Sequence, residues 1–156
     1  MTSTDHVLVP FEGSALSVKA LEIALADYPD AEITVLHVCN PVTSEVGLFE
    51  LLTPFDGAPP GSISEDVWTD WYDRVRDRSV AVLEVATELA GDSGHKIRTK
   101  TTFGHPDREI VEFAERSDVD RIVMGSHTRT GMARIWLGGV ADRVVRIASV
   151  PVMVVR

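Results

Sequence analysis

The chain contains very little cysteine and no long apolar run. Cys39 is the single cysteine in 156 residues, which excludes an intrachain disulfide and a multi-cysteine metal motif. No apolar stretch approaches the roughly 20 residues that a membrane-spanning helix needs. The amino-terminal letters MTSTDH lack the basic and apolar regions of a secretory signal. We therefore expect a cytoplasmic protein that does not enter a membrane.

Basic charge is also scarce. Asp and Glu total 24 against 15 Lys and Arg, which gives a formal net charge of −9 at pH 7, and three of the 15 are lysines. Because a nucleic-acid-binding surface needs clustered basic residues, this balance argues against nucleic acid as a partner. An acidic, lysine-poor surface stays soluble at high salt, so a halophilic archaeon is one interpretation of the source. An Arg-rich, GC-biased genome is the other.

The chain has the length of one domain with a sizeable core. Its 44% hydrophobic and 25% charged residues are ordinary for a globular protein. We find no tandem repeat and no linker, so we expect a single domain over residues 1–156 with one long loop at about 40–64. That loop contains four prolines and an apolar patch. It is either a solvated insertion that folds back onto the core, or a lid or partner surface.

Short apolar runs alternate with helical patterns along the chain. Strand–helix–strand units give parallel sheets, so the alternation predicts an α/β fold with an open, parallel, five-stranded, Rossmann-like sheet. The Gly13-Ser14 pair predicts a sharp turn and an N-cap for the first helix. The predicted strands are 6–11, 32–39, 96–103, 121–124 and 152–155, and the predicted helices are about 15–28, 65–91 and 107–116, with a fourth after Gly139 that ends before Pro151.

The helical patterns also predict which side chains face the core. In the first helix, the predicted inward residues include Val18, Leu21 and Ile23. In the long second helix, the Trp68 and Trp71 rings are predicted to pack in the core or at an interface rather than to stack on bases. The fourth helix is predicted to bury Val140, Val144, Val145 and Ala148.

One candidate ligand site follows the fourth strand. Gly125 ends an apolar run, and a polar loop then leads to Gly138 and Gly139 at the start of the last helix. Unpaired backbone N–H groups and the positive end of the helix dipole favour an anion there. The Walker pattern and the G-x-G-x-x-G pattern are both absent. Ligands of open parallel sheets bind at the carboxyl ends of strands, so residues 10–13, 38–40 and 124–130 are expected to meet.

The same stretch resembles the nucleotide loop of the universal stress protein family. That motif is Gly, two residues, Gly, nine residues, Gly, and then Ser or Thr. Gly125 and Gly138 match it, whereas Thr128 stands at the second Gly position and Gly139 at the hydroxyl position. The segments HVLVP at 6–10, ITVLHV at 33–38 and VPVMVV at 150–155 are similar to the family as well, so the resemblance covers the whole chain.

The resemblance implies an adenine nucleotide alpha hydrolase-like fold and an adenine nucleotide ligand, ATP above all, with or without Mg. Glu12, where relatives have Asp, would hold the adenosine end. The loop amides and the start of the last helix would cradle the phosphates, with Arg129 and Arg134 either reaching them or remaining solvated. The site residues implied in this way are Pro10, Phe11, Glu12, Val38, Met124, Gly125, Ser126, His127, Thr128, Arg129, Gly138, Gly139, Val140 and Ala141.

Three functions remain open at this point. The first is a nucleotide-binding regulatory or stress-response module with at most slow ATP hydrolysis. The second is a protein of the same fold that binds no nucleotide and acts by dimerisation and protein partners. Thr128, Gly139 and Ala141 favour this second function, because relatives that bind ATP carry a Gly at the first position and often hydroxyls at the other two. The third, a phosphotransferase or ATPase, has little support, since His127 has no acidic partner to orient it.

Two further expectations concern metals and assembly. His6, His95 and His105 do not cluster in the sequence, so no metal site is predicted. If the apolar strand 152–155 lies at a sheet edge, its unpaired backbone is a pairing liability. Pairing with the same strand of a second copy would then produce a two-fold homodimer.

Overall fold

The computed structural model describes residues 4–40, 65–126 and 138–156. Within these ranges the chain forms five strands and four helices in the predicted alternation. The long loop predicted at about 40–64 falls almost entirely outside the described residues. In chain order the elements are β1 (His6–Pro10), α1 (Ala15–Asp27), β2 (Glu32–Cys39), α2 (Glu65–Asp92), β3 (Ile97–Phe103), α3 (Pro106–Arg116), β4 (Arg121–Gly125), α4 (Gly139–Ile147) and β5 (Val152–Val155).

The five strands form one parallel sheet in the order β3-β2-β1-β4-β5. Pro10 of β1 pairs with Leu36 of β2, and Leu8 of β1 pairs with Ile122 of β4. The strand order therefore reverses at β1, because β2 and β3 lie on one side of it and β4 and β5 lie on the other. The predicted Rossmann-like α/β fold is confirmed, and the reversal puts the carboxyl ends of β1 and β4 side by side.

Side chains from both faces of the sheet form two apolar layers. On β1, Val7 and Val9 belong to the layer that α1 and α2 cover, whereas Leu8 belongs to the layer that α3 and α4 cover. All three are fully buried. A strand covered on both faces needs apolar residues at successive positions, which explains the nearly continuous run at 6–11.

The start of α1 follows the predicted local chemistry. Gly13 has φ +86°, a conformation that L side chains rarely adopt. The Ser14 hydroxyl then accepts a hydrogen bond from the Ser17 amide at 3.1 Å and caps the helix. Leu21 is buried as predicted, but Val18 and Ile23 are only partly buried at the margins of the helix face.

The predicted buried face of α4 is wrong in part. Val140 and Val145 are 38% and 44% exposed, whereas Ala141 and Val144 are buried. Ala141, Val144 and the partly buried Ala148 are spaced by three and four residues and share one face of the helix. The contact with the sheet and α3 therefore follows this narrower stripe and leaves the two flanking valines outside it.

The two tryptophans of α2 differ in how far they are buried. Their rings stack with centroids 5.1 Å apart, but Trp71 is 5% exposed and Trp68 is 48% exposed. Trp71 is a core residue as predicted, and Trp68 is not.

Cys39 lies in a buried position with its Sγ 3.0 Å from the Ser79 hydroxyl, and burial raises the pKa of the Cys39 thiol. The thiol is therefore protonated near neutral pH.

The described ranges contain neither a candidate membrane span nor a candidate metal-ion cluster. None of the helices there combines the length and apolar character that crossing a membrane requires. In the same part of the chain, no group of three or more His, Cys, Asp or Glu side chains is arranged to hold a metal ion.

Candidate functional site

The crevice at the strand-order reversal is formed by the ends of β1 and β4 and the start of α1. A Cβ atom added to Gly125 would lie 2.8 Å from the carbonyl carbon of Leu16 and 2.9 Å from its carbonyl oxygen. Such distances are closer than a side chain tolerates, so only glycine lets the first turn of α1 pack against the end of β4. Gly125 therefore has a structural role that its place in the loop motif did not reveal.

Ser126 connects the end of β4 to the start of α4. Its buried hydroxyl accepts a hydrogen bond from the Gly138 amide at 3.0 Å. Its own amide donates to the Val155 carbonyl at 2.9 Å. Ser126 thereby joins the end of β4 to the start of α4 and ties both to the end of β5. The sequence predicted Ser126 as a ligand residue and did not predict that it links β4, α4 and β5. The local signal for this link is a hydroxyl directly after Gly125.

The amino terminus of α4 offers backbone donors to a ligand. The Asp142 amide donates to the Gly138 carbonyl at 2.9 Å, which is the first hydrogen bond of the helix. The amides of Gly139, Val140 and Ala141 therefore have no acceptor within the helix. Gly138 is the N-cap and provides no side chain for capping. The helix dipole adds a positive partial charge here, so this end favours an anion.

The end of β1 is fixed by β2 and presents one carboxylate. The Phe11 amide donates to the Leu36 carbonyl at 2.8 Å, and the Phe11 carbonyl accepts from His37 Nδ1 at 2.9 Å. Since a carbonyl only accepts, Nδ1 of His37 carries the proton, and His37 is a buried, hydrogen-bonded residue of β2. Glu12 follows, with an exposed side chain that accepts a hydrogen bond from the Ser14 hydroxyl.

The remaining predicted site residues fall into three groups. The side chains of Pro10, Phe11, Met124 and Ala141 are buried, so a ligand would meet these residues through their backbone. Val38 is partly buried at the end of β2, in the apolar layer beneath α3 and α4. His127, Thr128, Arg129 and Arg134 lie outside the described residues. The structure brings together the ends of β1 and β4 with the starts of α1 and α4, and it leaves Glu12, Gly139 and Val140 exposed.

Comparison with known proteins identifies the relatives of this chain. The sequence profile of the Universal stress protein family matches residues 3–156. The chain belongs to the universal stress protein family. The family was also implied by the segments at 6–10, 33–38 and 150–155 and by the loop glycines, so that prediction is confirmed.

Curated universal stress proteins from an archaeon and a bacterium are similar over nearly the whole chain. Universal stress protein MJ0531 of Methanocaldococcus jannaschii is 34% identical over 152 residues, which cover 96% of this chain and 81% of that protein. Universal stress protein YxiE of Bacillus subtilis is 32% identical over 154 residues, which cover 97% and 99% of the two chains.

Solved structures of the family share the fold. The protein MJ0577 superposes with a TM-score of 0.73 at 26% identity, covering 97% of this chain and 94% of that chain. A universal stress protein in complex with cAMP has a TM-score of 0.64 at 23% identity, covering 99% of each chain. The universal stress protein from Archaeoglobus fulgidus in complex with dAMP has a TM-score of 0.60 at 18% identity, covering 100% of each chain.

Proposed function

We propose that this universal stress protein binds an adenine nucleotide in the crevice between the carboxyl ends of β1 and β4, and that it acts as a regulatory stress-response module. The observation that carries the proposal is the start of α4, where the amides of residues 139–141 have no acceptor within the helix and are held beside β4 by Ser126. Two solved structures of this fold are complexes with cAMP and with dAMP, which supports an adenine nucleotide as the ligand class.

The described residues fit such a ligand at both of its ends. The exposed Glu12 carboxylate accepts hydrogen bonds from ribose hydroxyls. The α4 amides donate to phosphate oxygens, and a Cβ on Gly139 would meet no described atom within 4 Å, so a phosphate has room to approach. Since the chain carries a net charge of −9, we propose that ATP binds with Mg²⁺, which neutralises part of the phosphate charge. Binding changes partners or conformation, with at most slow hydrolysis.

Glu12→Gln tests the proposed ribose contact. The substitution keeps the shape and an acceptor oxygen for Ser14 but removes the charge, so we expect Mg-ATP to bind about tenfold more weakly, the effect of losing one charge-assisted hydrogen bond. Isothermal titration calorimetry measures the dissociation constant. Glu22→Gln, an exposed glutamate on α1, is the matched control and should bind as the wild type does.

Two calorimetric results would contradict the proposal. Wild-type protein that shows no saturable heat with millimolar Mg-ATP at either low or molar salt does not use this crevice for the nucleotide. If Glu22→Gln weakens binding as much as Glu12→Gln, the carboxylate acts through the overall charge of the protein rather than through contact with the ribose.

We propose, as a second function, that the protein forms a homodimer through β5 and that this dimer recruits protein partners, whether or not a nucleotide binds. The supporting observation is that β5 is an edge strand and that Met153, at its centre, is 38% exposed. Val145 and Ile147 of α4, the helix that precedes β5, are 44% and 52% exposed. An unprotected apolar edge strand is a template for pairing with a second copy.

Met153→Lys should weaken this dimer by about tenfold, because an edge lysine places an unpaired charge in the apolar interface. Sedimentation-velocity ultracentrifugation over a concentration series measures the dimer dissociation constant. Val85→Lys places the same charge on an exposed valine of α2 and should leave the dimer intact. A wild-type protein that stays monomeric, or equal effects of both substitutions, would show that β5 is not the interface.

A further inference from the structure

An aromatic surface lies where α2 begins and β3 ends. Three of its side chains are 42–48% exposed, and they are the aromatic side chains that the described part of the chain exposes: Trp68, Tyr72 and Phe103. Trp68 stacks on the buried Trp71, and Tyr72 stacks on Phe103 with ring centroids 5.8 Å apart. Because Trp68 and Tyr72 are four residues apart on one helix, they lie side by side. The four rings therefore form one surface, which we call the aromatic patch.

The aromatic patch lies at the sheet edge opposite β5. β3 and β5 are the two edge strands of the sheet, and Phe103 is the last residue of β3. Its contact with Tyr72 puts Phe103 on the face of β3 that meets α2. Side chains alternate along a strand, so Arg98 and Lys100 lie on the other face of β3. The patch is thus separate from the proposed β5 interface, and the cations of β3 do not lie among its rings.

Carboxylates border the aromatic patch on α2. The sequence contains no Lys or Arg from residue 20 to residue 73. Four carboxylates lie in the first turns of the helix: Glu65, Asp66, Asp70 and Asp73. The last two are neutralised by ion pairs with Arg74 and Arg76, whereas the first two are exposed and have no ion pair within the described ranges. Glu65 precedes Trp68 by three residues and therefore lies on the same side of the helix.

Exposed rings of this kind are typical of protein–protein interfaces. Trp and Tyr provide a large contact area with few rotatable bonds, and they are enriched among the residues that dominate binding energy. Stacking on the buried Trp71 holds the exposed Trp68 ring in place. Cations bind both to aromatic faces and to carboxylates, whereas Glu65 and Asp66 would repel an anionic partner. The patch therefore suits a partner that is both apolar and basic.

We propose that the aromatic patch docks a protein partner through a basic amphipathic segment, which carries apolar side chains on one face and Arg or Lys beside them. The apolar side chains cover Trp68 and Tyr72, and the cations pair with Glu65 and Asp66. Docking requires neither a nucleotide nor pairing through β5, because the patch lies at the other edge of the sheet. A homodimer paired through β5 would present one aromatic patch at each end.

Binding of a synthetic peptide to the full chain tests the proposal. The probe is a fluorescently labelled amphipathic peptide of Leu and Arg, about 18 residues or five helical turns long. Fluorescence anisotropy measures its dissociation constant. We expect saturable binding that weakens as salt screens the charges. The same peptide with Glu in place of Arg should not bind.

Trp68→Ala tests the contribution of the rings. Because this substitution removes an exposed aromatic anchor, we expect the peptide to bind about tenfold more weakly. Val85→Ala is the matched control, since it truncates an apolar residue of α2 that is 44% exposed, and it should bind as the wild type does. Far-ultraviolet circular dichroism checks that each variant keeps the helix content of the wild type.

A second pair of variants tests the charges without changing the rings. Glu65→Gln combined with Asp66→Asn removes the two unpaired carboxylates and should weaken binding about fivefold, the effect of losing two exposed ion pairs. Glu84→Gln combined with Glu88→Gln is the matched control. It removes the same charge from exposed positions farther along α2 and should leave the affinity unchanged.

Each of the following results would overturn the proposal. If the wild type shows no saturable binding, or binds the Glu peptide equally well, the patch does not recognise a basic partner. If Trp68→Ala binds with wild-type affinity, the peptide binds elsewhere. Equal losses in the two double variants would indicate attraction by general charge. Self-association of the wild type that Trp68→Ala abolishes and excess peptide leaves unchanged would assign the patch to an interface between copies of this chain.

Discussion

Gly125→Ala is expected to lower the free energy of unfolding by about 3 kcal/mol, the cost of forcing a methyl group into a packed interior. The new Cβ would lie 2.8 and 2.9 Å from the carbonyl carbon and oxygen of Leu16. Both are backbone atoms in the first turn of α1, so no rotamer change relieves the clash and the helix itself must move. Urea denaturation followed by circular dichroism measures the change.

Gly139→Ala is the matched control for this prediction. A Cβ there meets nothing within 4 Å among the described residues, and the position is the first residue of a helix. We expect a change within about 0.5 kcal/mol. A destabilisation below about 1 kcal/mol for Gly125→Ala would mean that α1 shifts easily and that the close approach is not required. If Gly125→Ala shows the predicted destabilisation, a substitution of Gly125 by a larger residue would disturb the fold. Loss of nucleotide binding in that variant would then not by itself locate the ligand.

Ser126→Ala is expected to cost about 2 kcal/mol of stability and also to weaken nucleotide binding. The substitution removes the acceptor of the Gly138 amide and leaves that buried N–H without a partner, which costs about 1–3 kcal/mol. The start of α4 would no longer be held against β4, so the amides that cradle phosphates lose their fixed position. Denaturation and Mg-ATP calorimetry on the same sample measure the two effects.

Ser93→Ala provides the control for Ser126→Ala. Ser93 follows α2 directly, and its exposed hydroxyl donates to the Leu89 carbonyl. Removal of this hydroxyl should change the free energy of unfolding by less than about 0.5 kcal/mol. Unchanged stability in Ser126→Ala would show that another group satisfies the Gly138 amide. Reduced stability with unchanged ATP affinity would show that Ser126 supports the fold without positioning the ligand.

The parts of the fold that follow from local chemistry were predictable from the sequence. Gly13 and Ser14 predicted the turn and the cap of α1, because positive φ and side-chain capping depend on a few neighbouring atoms. The apolar run at 6–11 predicted a strand, and the structure covers β1 on both faces, as a nearly continuous apolar run requires. The turn and the cap join residues that are close in the chain, and the apolar run lies within the strand itself, so the local sequence contains the information.

The sequence predicted where in the fold the candidate site lies, but not the contacts that its residues make. The loop glycines and the strand–helix order put it after β4, and the strand order of the sheet agrees with that location. The reason for Gly125 was not predictable, since the atoms that exclude a side chain belong to Leu16 at the other end of the chain. The Gly138 amide as the partner of the Ser126 hydroxyl was not predictable either, because the two residues lie 12 positions apart and meet only in the folded chain. The ligand contacts of individual residues stay predictions, as do the cytoplasmic location, the single domain and the halophilic source.

By itself, the sequence determined the α/β alternation, the family and the acidic surface, because composition, periodicity and motif spacing are properties of the chain alone. The tertiary structure decided which strands are edges, which face of α4 packs, and which charged side chains lack partners. Val140 and Val145 are apolar yet exposed, and among the described residues Arg98 pairs with Glu32 whereas Lys100 has no ion pair. The physical reason is that burial and ion pairing depend on neighbours distant in sequence, and only the packed fold specifies those neighbours.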